Sequence, residues 1–271
     1  MFALKSDSLQ VCVLDPVADR QCFGTRYCTG GFIFQVLDIR HGEVMSGPTY
    51  PDTFNWFDGQ GIPDAFNLSP LRDPESTSAE AMVIGIGRCD LQQNQVREYC
   101  TWEVDRRTDA IALRTRQVHS PFAVELERQV TLHDRTVTSS TRLRNVGKRL
   151  TPVTWFPHPF FPQPDTDELC RFNMPVSLPD NAGYAVGPNG FVRRQGWPWS
   201  DGHYQPVDHQ AQAPLVVTQR HPQLGLVVAH CSWVPSYLPI WGNGRTFSWE
   251  PFLERLVAPG QQLNWSIDYT F

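Results

Sequence analysis

Two short segments carry residue types suited to proton transfer. The first is Thr154-Trp155-Phe156-Pro157-His158-Pro159-Phe160-Phe161. Prolines on both sides of His158 fix φ around it and hold the imidazole in a set orientation. Aromatic neighbours desolvate the ring, which lowers its pKa and favours the neutral form. The second segment is Phe247-Ser248-Trp249-Glu250-Pro251-Phe252. Glu250 sits at an aromatic strand end just before a proline. Burial there raises a carboxyl pKa toward the range of a general base. Each residue also has a purely structural reading: His158 as a bonded histidine at a strand end, Glu250 as a buried carboxylate paired with an arginine such as Arg255. The fold must bring positions 158 and 250 together for them to act as an acid/base pair.

Aromatic residues are the other candidate machinery. Trp56, Trp155, Trp197, Trp199, Trp233 and Trp241 lie in or beside segments rich in Pro and Gly. They either plug the open edges of a large core or give one or two stacking faces for the apolar side of a sugar ring. Trp155 and Trp241 are the two taken here as substrate-binding candidates. Other chemistries lack their signatures. There is no Walker loop, no GxSxG and no HExxH, and Gly85-Ile86-Gly87 is too short for a dinucleotide fingerprint. His203 and His209 stand six apart on a polar loop, without a short-spaced ligand set to make a metal site. The seven cysteines are odd in number with no CxxC, which fits small buried hydrophobes better than a disulfide framework.

The elements that must position these residues read as strands. Period-two alternation runs through 31–38, 101–105, 109–116, 124–132 and 136–144, and again through 215–219, 224–230, 246–249 and 263–269. From 101 to 144 the runs recur about every nine to twelve residues between polar turns, the spacing of an antiparallel meander. A short helix is expected only over 72–81, which opens on Asp-Pro-Glu. Long loops are expected at 47–71, 155–165, 179–206 and 233–245. The predicted fold class is all-β, a large antiparallel sandwich, with residues 1–271 as a single domain.

Composition narrows the function classes. The 271 residues carry a net charge of −5, only 19% are charged, and 23 Pro and 19 Gly are spread along the chain. An acidic pI near 5.9 argues against a dedicated nucleic-acid binder, which needs a basic stripe. Low charge argues against a coiled coil. No apolar run approaches the ~20 residues that span a bilayer, and the first residues show no signal-peptide pattern. The expectation is a soluble, cytoplasmic protein with no membrane partner. Oligomeric state is open.

From Phe122 to Phe161 the chain resembles the aldose 1-epimerase (galactose mutarotase-like) superfamily. The residues that carry the resemblance are Leu126-Glu127-Arg128, Thr131-Leu132, Leu143-Arg144-Asn145-Val146-Gly147 and His158-Pro159-Phe160-Phe161. Trp249-Glu250-Pro251, then Ala258-Pro259-Gly260, then an alternating strand from Leu263 to Phe271 are similar to the family's C-terminal end. The resemblance covers the C-terminal half. It implies a twisted super-sandwich and reversible opening of a sugar hemiacetal, with Glu250 taking the anomeric proton and His158 donating one to the ring oxygen. It implies a small-molecule carbohydrate as partner and no metal or other cofactor. The alternative is a non-catalytic carbohydrate-binding relative of the same fold.

The N-terminal half departs from the family pattern: its Asn-Arg … Asn-His … His-Gly setting has no match here. Gly24 to Gly31 resembles an Arg-Tyr-x-x-Gly segment of other members, which makes Arg26 a candidate hydroxyl-binding cation, or else a salt bridge at a strand start. Asp64 falls where the family has an acidic loop bordering the site. Asp201 is similar in place to a sugar-binding Asp, or else belongs to a plain Asp-Gly turn. Arg193-Arg194 is the one loop pair suited to a phosphate, with solvated charge as its alternative.

Overall fold

A computed structural model describes residues 1–271 except 74, 77, 197–200 and 211. Among the described residues the fold is all-β apart from one 3-10 turn at Arg20–Cys22. Its largest unit is a ten-stranded sheet. Across it run Tyr184–Val186, Val192–Arg194, Glu168–Phe172, Val216–His221, Gly225–Cys231, Gln262–Thr270, Thr136–Asn145, Phe122–His133, Ala110–His119 and Glu103–Arg106. Every pairing in it is antiparallel. The central strands are long because their alternation is unbroken. Val124, Leu126, Arg128, Val130 and Leu132 face inward and are buried, while Glu125, Glu127 and Gln129 alternate toward the other face.

Smaller sheets cover the inner face. Phe2–Lys5, Leu9–Val13, Ile33–Asp38 and Gly42–Glu43 form one, and Leu253–Val257, Thr151–Pro157 and Asp64–Ala65 another. A third joins Phe161–Pro162, Thr246–Trp249, Pro239–Gly242 and His203–Pro206. Between the layers lies one apolar cluster that includes Leu126, Val130, Trp155, Phe161, Trp249, Trp265 and Tyr269. A second cluster gathers Tyr27, Phe32, Phe156 and Phe252.

Two sequence expectations are corrected. The described residues of 72–81 form turns leading into the strand Glu80–Val83 rather than a helix. Side chains there capture the main chain locally: Asp73 Oδ1 accepts from the Glu75 N–H, Ser76 Oγ from Ser78 and Ser78 Oγ from Glu80. Such bonds compete with helical ones. The expected long loops also hold short strands, including Asp64–Ala65, Phe161–Pro162 and Pro239–Gly242. Prolines mask these strands in the sequence, yet they sit at strand ends, where the missing N–H costs little. The cysteines are free thiols, four of them buried. No helix among the described residues is long and apolar enough to cross a membrane.

Candidate active site

His158 and Glu250 meet. Their nearest atoms, His158 Nε2 and Glu250 Oε1, are 3.3 Å apart. Each residue follows directly on a strand, His158 on Thr151–Pro157 and Glu250 on Thr246–Trp249. Main-chain bonds fix both positions: the His158 N–H donates to the Pro63 carbonyl at 2.8 Å and the Glu250 N–H to the Pro239 carbonyl at 3.0 Å. The strand ends therefore act as rigid mounts. The imidazole lies on the Phe160 ring, centroids 4.2 Å apart and planes 25° from parallel. Tyr27 and Trp241 stand edge-on to it at 6.3 and 6.1 Å. Gly59, at φ +84°, lets Tyr27 and Phe160 close in, because a Cβ there would lie 2.7 Å from the Tyr27 ring. His158 Nδ1 is 2.9 Å from Ser248 Oγ on the neighbouring strand.

The pair is almost dry. His158 is 3% exposed and Glu250 6%. Burial pushes the Glu250 carboxyl up to about 8, against the pull of the Arg26 guanidinium. Burial first, and Arg26 second, hold the His158 imidazole well below its ordinary value, opposed by its own main-chain carbonyl. Near neutral pH the ligand-free pair is thus a neutral imidazole beside a protonated carboxyl, with one proton to transfer. Glu250 is not paired with Arg255, whose guanidinium is exposed and donates to the Glu254 carbonyl.

Arg26 is half-buried. It donates to the Phe57 carbonyl at 2.8 Å and lies over the Tyr27 and Phe57 rings at 5.0 and 4.9 Å. Among the described residues no carboxylate pairs with it, so the salt-bridge alternative does not apply. Trp241 is half-buried on Pro239–Gly242, opposite Ser248 on one side and Tyr204 on the other. Gly202, at φ +87°, packs on its indole, where a Cβ would sit 2.7 Å from the ring. Asp201, the residue before that glycine, is exposed. Sequence reasoning missed Tyr204 and Tyr237, whose hydroxyls are 2.7 Å apart. Burial, that bond and the Glu250 carboxylate all raise the Tyr204 hydroxyl pKa. It also missed Ser248, which had no signal beyond its place two residues before Glu250.

Two candidates are drawn into the core. Asp64 is buried and bonded to Arg128, itself 1% exposed, and Arg128 also reaches Thr141. Burial raises the Asp64 carboxyl, while Arg128 and the Trp155 indole counter it. Trp155 packs among Phe66, Trp233 and Trp265. In the structure Asp64 therefore balances a buried cation and Trp155 packs inside the sandwich, apart from the half-buried Arg26 and Trp241. Arg194 bridges to Asp167 at 3.3 Å and donates to the Gln163 side chain and the Pro164 carbonyl, a structural role in place of a phosphate site. His209 approaches the Val207 and Pro235 carbonyls. Among the described residues no cluster of three or more His, Cys, Asp or Glu is placed to hold a metal ion. Trp197 and Trp199 lie outside the described residues. A concavity of about 590 Å³ elsewhere, on the outer face of the large sheet, is lined by Arg114, Glu127 and Arg142. These pair with one another across the strands, so it is a solvated charge ladder away from the acid/base pair.

No protein-family model matches the chain, and no curated protein does. Solved structures do. A galactose mutarotase related enzyme from Lactobacillus acidophilus superposes with a TM-score of 0.65 at 12% identity, covering 99% of this chain and 96% of that one. A galactose mutarotase-like protein from Lactobacillus casei gives 0.60 at 14% identity, over 100% and 99%. An aldose epimerase homologue from C. elegans gives 0.52 at 10%, over 99% and 97%. The chain has the galactose mutarotase-like sandwich fold. At these identities the likeness is one of fold.

Proposed function

We propose that this protein is an aldose 1-epimerase-like enzyme that interconverts the anomers of a hexose or modified sugar. The observation that carries the reading is the 3.3 Å approach of His158 Nε2 to Glu250 Oε1 in a dry, aromatic-walled setting. The fold shared with mutarotase-like structures agrees with it. In this reading residues 1–271 work as one unit on a small-molecule carbohydrate.

The chemistry needs two coordinated proton transfers. In the ion-pair form, the Glu250 carboxylate takes the proton of the anomeric hydroxyl while the His158 imidazolium gives one to the ring oxygen. The C1–O5 bond breaks and a C1 carbonyl forms. The pair is left as neutral acid and neutral imidazole, the form that burial favours. The aldehyde then turns about C1–C2 and presents its other face. Closure runs the transfers backward: Glu250 protonates the carbonyl oxygen and His158 takes the C5 hydroxyl proton as O5 attacks C1. Glu250 always serves O1 and His158 always serves O5. Atoms and protons balance without a co-reactant. Trp241, half-buried, offers its indole to the apolar side of the sugar, while the buried Tyr27 and Phe160 rings hold the imidazole in place. Arg26 and the Tyr204–Tyr237 hydroxyl pair offer hydroxyl-binding groups.

Anomer exchange by NMR, across free, N-acetylated and phosphorylated hexoses, tests the proposal. The wild type is expected to accelerate exchange of at least one sugar. His158→Asn and Glu250→Gln should each cut that rate by about 10²–10⁴. Sugar binding without any acceleration by the wild type would instead assign the chain as a carbohydrate-binding relative.

A further inference from the structure

Ser248 is wholly buried on a strand whose four residues, Thr246 to Trp249, are all buried. A hydroxyl in such a place needs a hydrogen-bond partner. Its partner is His158 Nδ1, at 2.9 Å. On the opposite side of the same ring, Nε2 faces Glu250. A neutral imidazole carries one N–H, so the two contacts are not independent. If the proton sits on Nε2, that nitrogen has no lone pair to receive another. If it sits on Nδ1, Nε2 is free to accept from the protonated Glu250 carboxyl. The chain Glu250 O–H to Nε2, then Nδ1–H to Ser248 Oγ, satisfies each group in one direction. The reversed chain, Ser248 O–H to Nδ1 and Nε2–H to Glu250, makes Glu250 the acceptor: either it is ionised in a dry site, which burial opposes, or it accepts through its carbonyl oxygen and its buried O–H loses the imidazole as partner.

We infer that Ser248 is a positioning residue: by accepting Nδ1–H it fixes the His158 tautomer and dedicates Nε2 to exchanging the proton. Its value for turnover rests on the epimerase reading. Its effect on the tautomer does not. The imidazolium that protonates the ring oxygen must give up the Nε2 proton and keep Nδ1–H. A fixed acceptor at Nδ1 makes that the favoured direction of loss and stops the ring from turning. The same contact matters on ring closure, when Nε2 must present a lone pair to the C5 hydroxyl.

Long-range ¹H–¹⁵N spectra of the histidines test this in the intact, ligand-free protein, with His158→Asn assigning the resonance among the eight histidines. Wild type should show Nδ1–H and an unprotonated Nε2. Ser248→Ala, nearly the same size, should shift His158 toward the Nε2–H tautomer and lower kcat about 10-fold or more, with KM within about twofold. Ser248→Thr keeps the acceptor and should return the tautomer toward wild type. An Nε2–H ring in the wild type, an unchanged tautomer in Ser248→Ala, or a raised KM at constant kcat would each overturn the assignment. A tautomer shift in a protein that accelerates no sugar would sink the epimerase reading and leave the Ser248 assignment standing.

Discussion

Glu250 Oε1 touches His158 Nε2 across 92 positions of sequence, and each group is the residue just after a strand. The two strands belong to different small sheets, and the hydrogen bond from His158 to Ser248 ties one to the other. The acid/base pair is thus also a junction in the layer that covers the ten-stranded sheet. Chemistry and packing act on the same residues, with opposite demands. Catalysis wants ionisable groups at 158 and 250, whereas a dry junction is more stable with uncharged ones.

That conflict predicts a pH dependence of stability. Glu250 is raised from its ordinary value to about 8. Above its unfolded pKa the folded chain holds the proton more tightly than the unfolded one, so this group's contribution falls as pH rises toward 8. His158 is lowered, so its contribution grows with pH until its unfolded value near 6.5 and is flat beyond. The two oppose each other below about 6.5 and only the Glu250 effect remains above it. Wild type should lose about 2 kcal/mol between pH 6.5 and 8. Glu250→Gln should flatten that slope and be the more stable protein at pH 8. Denaturant midpoints at both pH values measure it, and a Glu250→Gln curve parallel to wild type counts against the assigned protonation state.

Arg26 lowers both members of the pair. Its charge favours the carboxylate and repels the imidazolium, so it eases the loss of the shared proton at high pH. Arg26→Met should move the alkaline limb of kcat/KM to higher pH. KM should rise as well if the guanidinium binds a sugar hydroxyl. An unmoved limb would show that the positive charge is screened from the pair.

The strands were legible because burial on one face leaves a period-two trace. The runs 109–116, 124–132, 136–144 and 263–269 correspond to Ala110–His119, Phe122–His133, Thr136–Asn145 and Gln262–Thr270. His158 and Glu250 were legible as candidates because prolines and aromatics surround them, but their meeting depends on pairings remote in sequence. Asp64 shows a readable signal passed over. Arg128 occupies an inward position of its strand, between Leu126 and Val130, and an inward arginine demands a buried anion. Ser248 left no trace of its own, since a small polar residue in a strand gains meaning only from what lies across the gap.

Trp241 should act through binding more than through chemistry. Its indole edge faces His158 and Phe160, and it touches neither proton in the transfer scheme. Trp241→Ala should raise KM about tenfold with a smaller change in kcat, and Trp241→Phe should recover part of the affinity. A sugar titration followed by tryptophan fluorescence gives the binding side of the comparison. A collapse of kcat at constant KM would mean that the indole orients His158 instead of the sugar.

The last prediction separates the two readings of Asp64. In the structure its carboxylate balances the buried Arg128 guanidinium, so Asp64→Ala leaves a charge stranded in the core. Removing one partner of such a pair costs about 3–5 kcal/mol, whereas replacing both with apolar groups of similar volume is often near neutral. Asp64→Ala should therefore unfold at much lower denaturant, and Asp64→Leu combined with Arg128→Met should regain most of the loss. The double variant should keep the wild-type KM, because neither side chain touches the sugar in this assignment. If Asp64→Ala were as stable as wild type but bound sugar poorly, Asp64 would be a substrate contact after all, and the carboxylate would have to leave Arg128 when the sugar arrives.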